Sequence, residues 1–88
     1  MFRVDWAQSA LNELAGLWTQ ADSAMRQAIT AASQQIHQRL ESDPLNEGES
    51  REGGQRILFV FPLGVLFEVD QQQAVVRVLQ VWSYRRRG

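Results

Sequence analysis

Apolar residues recur at helical spacing in the first half of the chain and at alternating spacing in the second. Ala7, Leu11, Leu14 and Trp18 form one helical stripe, and Trp6, Ala10 and Leu17 widen it. That spacing predicts an amphipathic helix starting at Trp6, with Asp5 as its N-cap and Trp6 and Trp18 as core anchors. Met1–Val4 reads as a short first strand. Thr19-Gln20-Ala21-Asp22 has the spacing of a capping box. The helix it opens runs to about Glu41 on a stripe of Met25, Ile29, Ala32, Ile36 and Leu40. His37 falls between those positions, so a solvated or half-buried role is expected. Ser42-Asp43-Pro44 stops the helix, because proline disfavours a helical residue before it.

Residues 45–55 are polar and glycine-rich and read as one exposed loop. A loop of that length in a small chain is a functional candidate. It is not a phosphate-binding loop: it lacks the Gly-Lys-Ser/Thr ending, and a strand follows it. From Arg56 the period becomes two, with Ile57, Phe59 and Phe61 assigned to the core. Pro62-Leu63-Gly64 reads as a turn, and Val65, Phe67 and Val69 then alternate with Leu66, Glu68 and Asp70. Gln71-Gln72-Gln73 turns again into a valine-rich strand from Ala74 to Trp82. Strands joined by such short turns are antiparallel.

Turn lengths fix an expected register. A three-residue turn at 62–64 sets Phe59 opposite Phe67 and Arg56 opposite Asp70. A four-residue turn at 71–74 sets Glu68 opposite Arg77. The alternation stutters at Leu79, Gln80 and Val81, which predicts a bulge. The face away from the helices then carries these ion pairs around an apolar patch of Leu58, Val60, Leu66 and Val75. Such a patch marks a partner surface, here a candidate homodimer face. The sum is one α+β domain spanning 1–88: an N-terminal helical hairpin packed on a small antiparallel β-sheet, in the order β-α-α-β-β-β.

Composition narrows the chemistry. The chain has 88 residues, enough for one core. It has no cysteine and one histidine, so disulfides and thiolate or histidine metal clusters are excluded. No metal and no cofactor are expected. No apolar run reaches the length of a membrane helix, and the N-terminus lacks the plan of a signal peptide, so a cytoplasmic protein is expected. All nine cations are arginine. The first part is acidic, and the last is basic and ends in Arg85-Arg86-Arg87. A basic end is either a polyanion contact or a solubilising tail.

Taken in order, several pieces together resemble the RelE/ParE family of bacterial type II toxins over nearly the whole chain. They are Trp6…Ala10-Leu11…Leu14…Leu17-Trp18, then Ile29…Ile36…Leu40, then Asp43-Pro44 followed by Gly48-Glu49-Ser50-Arg51. Arg56-Ile57-Leu58, the run Phe61 to Val69, and Val76 to Val81 complete the pattern. The resemblance implies a toxin silenced by a cognate antitoxin, which lays a helix or an added strand across it. RelE-like members cut messenger RNA on the ribosome; ParE-like members inhibit DNA gyrase and are not nucleases.

By that resemblance Arg51, Arg56, Tyr84 and Arg85 are the candidate catalytic residues, expected along a shared rim. Arg56 would clamp the phosphate, Arg85 would add charge stabilisation, and Tyr84 would stack on a base or handle a proton. Read from the residues alone, Arg56 pairs with Asp70, Tyr84 caps the core edge, and Trp82 is either the last core residue or an exposed contact. RNA cleavage needs a group that accepts the 2′-hydroxyl proton. The chain has no lysine, and arginine is a poor base. Its pI is 5.7, whereas binding to a polyanion gains from positive charge. A toxin that binds a protein target, as gyrase inhibitors do, or a toxin-derived interaction module is therefore the leading expectation, and a ribosome-dependent endoribonuclease the alternative.

Overall fold

The computed structural model describes residues 1–85. Strand β1 (Arg3–Trp6) leads into helix α1 (Gln8–Gln20) and helix α2 (Ser23–Ser42). Strands β2 (Glu49–Ser50), β3 (Gln55–Val60), β4 (Leu63–Asp70) and β5 (Val75–Ser83) follow. Single 3-10 turns at Pro44–Asn46 and Glu52–Gly54 flank β2. The sheet order is β1-β5-β4-β3-β2. The α+β architecture is the one expected, with two differences: β1 lies parallel to β5, so the sheet is mixed, and a fifth strand, β2, forms within the segment expected to be a loop.

That pairing moves the first helix. Arg3, Val4, Asp5 and Trp6 align with Val75 to Val78, and the Ala7 amide donates to the Val78 carbonyl at 2.9 Å. Asp5 and Trp6 are therefore strand residues, and α1 starts at Gln8 behind Ala7, without a side-chain cap. Tertiary pairing outweighs local cap propensity here. The expected capping box is also replaced by two separate bonds. Asp22 is the N-cap of α2 and accepts from the Met25 amide at 2.8 Å, while the Thr19 hydroxyl donates to Ala15 O. Asp22→Ala should lower stability by about 1 kcal/mol, seen as a shifted urea midpoint with an unchanged slope.

Both helices cover one face of the sheet. Their buried residues, Ala10 and Ile29, Ala32, Ile36 and Leu40, meet Leu58, Val60, Leu63, Val65, Phe67, Val76, Val78 and Val81. Three stripe residues are not core: Leu11, Trp18 and Met25 are 42%, 44% and 39% exposed. Trp6 is half-buried; its Nε1 donates to His37 Nδ1 at 3.1 Å, and the rings lie parallel. His37 is half-buried, within the expected range.

In the sheet, the β4–β5 half follows the expectation. Asp70 pairs with Val75 across a four-residue turn, and Glu68 faces Arg77 with 3.8 Å between their charged atoms. The register slips so that Leu66 faces Gln80 and Phe67 faces Val78, leaving Leu79 as the bulged residue. Helix α1 satisfies the backbone groups that the bulge takes off the ladder. The Ser9 hydroxyl donates to Leu79 O, and the Glu13 carboxylate accepts from the Val81 amide at 3.0 Å.

The β3–β4 half departs from it. The hairpin turns on Phe61 and Pro62 alone, joined by a cis peptide, and Leu63 and Gly64 enter β4. Phe59 now faces Gly64 and Arg56 faces Phe67. Side chains alternate with period two, so this odd shift in register turns β3 over. Leu58 and Val60 go into the core at 4% and 8% exposure, and Phe59 comes out at 50%. The expected patch of Leu58, Val60, Leu66 and Val75 therefore does not exist: its first two members are interior. Arg56 does not pair with Asp70, which lies opposite Val75.

Candidate functional site

The segment read as a single exposed loop is pinned from both sides. Glu47 is its hub. Arg39, in the last turn of α2, places Nε and Nη2 on Glu47 Oε2 at 2.7 and 2.6 Å. Arg56, the second residue of β3, donates from Nε to the Glu47 carbonyl at 2.8 Å. Its other nitrogens donate to Ser50 Oγ at 2.8 Å and Gly48 O at 3.2 Å. One guanidinium thus spans the approach to β2 and fixes the two-residue strand against β3. Gly48 makes this possible: its φ is +72°, and a Cβ there would overlap the Ile57 carbonyl.

Arg51 follows β2 and is exposed. Its amide donates to Gln55 O at 2.6 Å, and its side chain lies 3.5 Å from Glu49. Tyr84 lies elsewhere. Its amide donates to Pro62 O at 3.1 Å, at the far end of the β3–β4 hairpin. Four strand residues, roughly 13 Å, separate Arg56 from that end. Arg85, also exposed, follows Tyr84. The structure thus brings Arg51 and Arg56 together at one end of β3, and Tyr84 and Arg85 together at the other. The four do not share one rim. Arg86 and Arg87 lie outside the described residues.

Around Tyr84 is an aromatic cluster that the sequence assigned mostly to the interior. Phe59 sits edge-on to Trp82 at 6.1 Å and to Tyr84 at 5.2 Å, and Phe61 meets Tyr84 at 5.6 Å. Phe59, Gly64 and Trp82 form one cross-strand row on the face opposite the helices. Gly64 leaves the space that the indole of Trp82 occupies, since a Cβ there would come within 2.6 Å of the ring. A glycine opposite a tryptophan between two valine-rich runs is the signal that would have found this row. Edge-to-face rings add roughly 0.5–1.5 kcal/mol beyond their buried area. They hold the exposed Phe59 ring in one orientation.

Elsewhere on the open face Arg3 pairs with Asp5 two residues along β1 at 3.1 Å, and Arg77 of β5 lies 3.8 Å from Glu68 across the ladder in β4. Among the described residues no three metal-ligating side chains converge, and no helix is long and apolar enough to cross a membrane. The face is thus an aromatic platform at the hairpin end and a row of ion pairs at the other, with the arginine bracket on the β2 edge.

No protein-family model matches the chain, and no curated protein sequence matches it. Solved structures do. A chain of the chromosomal ParDE toxin–antitoxin system from P. aeruginosa superposes with a TM-score of 0.76 at 16% identity, covering 97% of this chain and 98% of that one. A chain of the RelBE2 toxin–antitoxin complex from Mycobacterium tuberculosis gives 0.72 at 17%, covering 94% and 98%. The isolated E. coli RelE toxin gives 0.66 at 19%, covering 99% and 88%. At these identities the shared property is the path of the backbone, from the first strand to the last, and the protein therefore has the RelE/ParE-like fold.

Proposed function

We infer that the chain is the toxin component of a type II toxin–antitoxin system: a cytoplasmic protein, silenced by a cognate antitoxin, that acts by binding a protein target as gyrase inhibitors do. The observation that carries this reading is the near end-to-end superposition on a chain of a ParDE system. Two features support binding over RNA cleavage. The guanidinium of Arg56 is already committed to Glu47, Gly48 and Ser50, and no lysine is present to complete a basic catalytic cluster. The exposed aromatic platform is of the composition enriched at the centres of protein interfaces.

One observation favours the alternative, a ribosome-dependent mRNA endoribonuclease. Tyr84 packs against the exposed Phe59 ring with Arg85 next in the chain, and aromatic rings with arginine also bind nucleobases by stacking. Induced expression distinguishes the two. Growth should arrest, and co-expression of the cognate antitoxin should restore it. Translated messages should show no new cuts by primer extension, and Arg51→Ala combined with Arg85→Ala should arrest growth as the parent does. Supercoiling by gyrase in the presence of the purified chain tests the leading target. Cuts within ribosome-occupied codons that disappear in the double variant would replace the binding reading with the nuclease one.

A further inference from the structure

His37 is the single histidine of the chain, and it ties an edge strand to a helix. Strand β1 ends the sheet on its side, so β5 is the one strand that pairs with it. Its other support is a seam against α2. At one end of the seam the Phe2 amide donates to the Glu41 carbonyl at 3.0 Å. At the other, Trp6 Nε1 donates to His37 Nδ1 at 3.1 Å. Glu41 links the two: its Oε2 lies 3.5 Å from His37 Nε2.

The direction of the Trp6 bond fixes the state of the ring. An indole N–H only donates, so Nδ1 accepts, and a ring nitrogen that accepts carries no proton. The imidazole in the seam is therefore neutral, with its proton on Nε2, toward Glu41. An imidazolium donates from both nitrogens. Once it forms, the N–H groups of Trp6 and Nδ1 oppose each other, and the Glu41 carboxylate draws the charged ring away from Trp6.

The surroundings leave this ring as the group that changes charge. Helix α1 presents Leu11 and Leu14 to it, and α2 presents Ser33 and Gln34 besides Glu41. Arg3 and Asp5 of β1 pair with each other on the opposite face of the sheet. The N-terminal ammonium of Met1 makes no ion pair among the described residues. A hollow of about 210 Å³ lies beside the two rings, so they have room to part without displacing the core.

We propose that His37 is a proton-operated latch on β1: the neutral ring holds Trp6 and keeps the strand against α2, and the charged ring releases it. Imidazole is the side chain that changes charge between about pH 5 and pH 8. The seam is therefore shut at the upper end of that range and released at the lower. The inference rests on the Trp6–His37–Glu41 geometry and holds whatever the domain binds.

Nuclear magnetic resonance of the isotope-labelled full chain, titrated from about pH 8 to about pH 5, tests it. In the parent the Trp6 indole N–H resonance should move on acidification. Protection of the Arg3 and Ala7 amides, which donate to the Ala74 and Val78 carbonyls, should fall about five-fold, the ratio corresponding to one hydrogen bond. Amides of the β4–β5 ladder should keep their protection. His37→Gln offers Trp6 an amide oxygen at every pH, so resonance and protection should stay constant. Trp6→Phe keeps a ring without the donor, so Arg3 and Ala7 should show the lower protection throughout, with no further fall. A parent whose indole resonance and β1 protection ignore pH would overturn the proposal. So would the same change in His37→Gln, a further acid-induced loss in Trp6→Phe, or an equal loss across the whole sheet.

Discussion

Phe67→Ala should remove about 3–5 kcal/mol of stability, the cost of deleting a large aromatic from a packed interior. Phe67 has no exposed surface and sits mid-way along β4, with β3 and β5 on either side. By volume it is the largest fully buried side chain among the described residues. Relief by collapse is restricted. Its partner in β5 is Val78, next to the bulge at Leu79, and α1 holds that bulge through Ser9 and Glu13. A domain this size has roughly 4–13 kcal/mol in total, so the variant loses much of its margin. Urea unfolding should show a large drop in midpoint with an unchanged slope, and the melting temperature should fall by more than ~10 °C. A loss under 1.5 kcal/mol would mean that the sheet and helices close over the void, and that this core is less rigid than its burial indicates.

Gly48→Ala should be the most damaging change outside the core, about 2–4 kcal/mol. Two costs add. The left-handed backbone at φ +72° disfavours any side chain by roughly 1–2 kcal/mol. The new Cβ would also overlap the Ile57 carbonyl, so the rung between Glu49 and Ile57 must open. The grip of Arg56 on Glu47, Gly48 and Ser50 loosens with it, and the opened rung and these contacts together add about 1–2 kcal/mol. Gly53→Ala is the control. It has the same φ, but nothing lies within 4 Å of its Cβ, so only the backbone cost applies. Amide exchange should show the difference as faster exchange across β2 and at the start of β3 in Gly48→Ala alone. Equal effects of the two substitutions would show that the bracket is not what orders this edge.

Much of this architecture was legible in the sequence, and the reasons differ by element. The α2 stripe was read correctly from Ile29 to Leu40 because polar residues separate its members unambiguously. The β4–β5 hairpin, the Glu68–Arg77 pair and the bulge were legible because charged and apolar positions alternate cleanly there. Strand β3 offers no such contrast. Ile57, Leu58, Phe59, Val60 and Phe61 are all apolar, so period-two reasoning has nothing to separate the faces. A turn one residue shorter than expected then inverted the strand. Trp18 and Leu11 were assigned to the core because helical spacing marks a stripe without saying how far the sheet beneath it extends. The site was less legible still. The role of Arg56 rests on backbone carbonyls presented by Glu47 and Gly48, which no side-chain pattern announces. The aromatic platform exists only because β3 is turned over.

The parallel pairing of β1 with β5 sets the timing of folding. Arg3 aligns with Val75 and Trp6 with Val78, so within this fold the first strand is completed by the last. During translation, residues 3–6 have no ladder to join until residues 75–78 have left the ribosome. Pairings that span so much of a chain slow folding. The sheet therefore stays open along β1 while the helices and the hairpins are made, and whatever the folded domain does in the cell begins only after β5 has emerged.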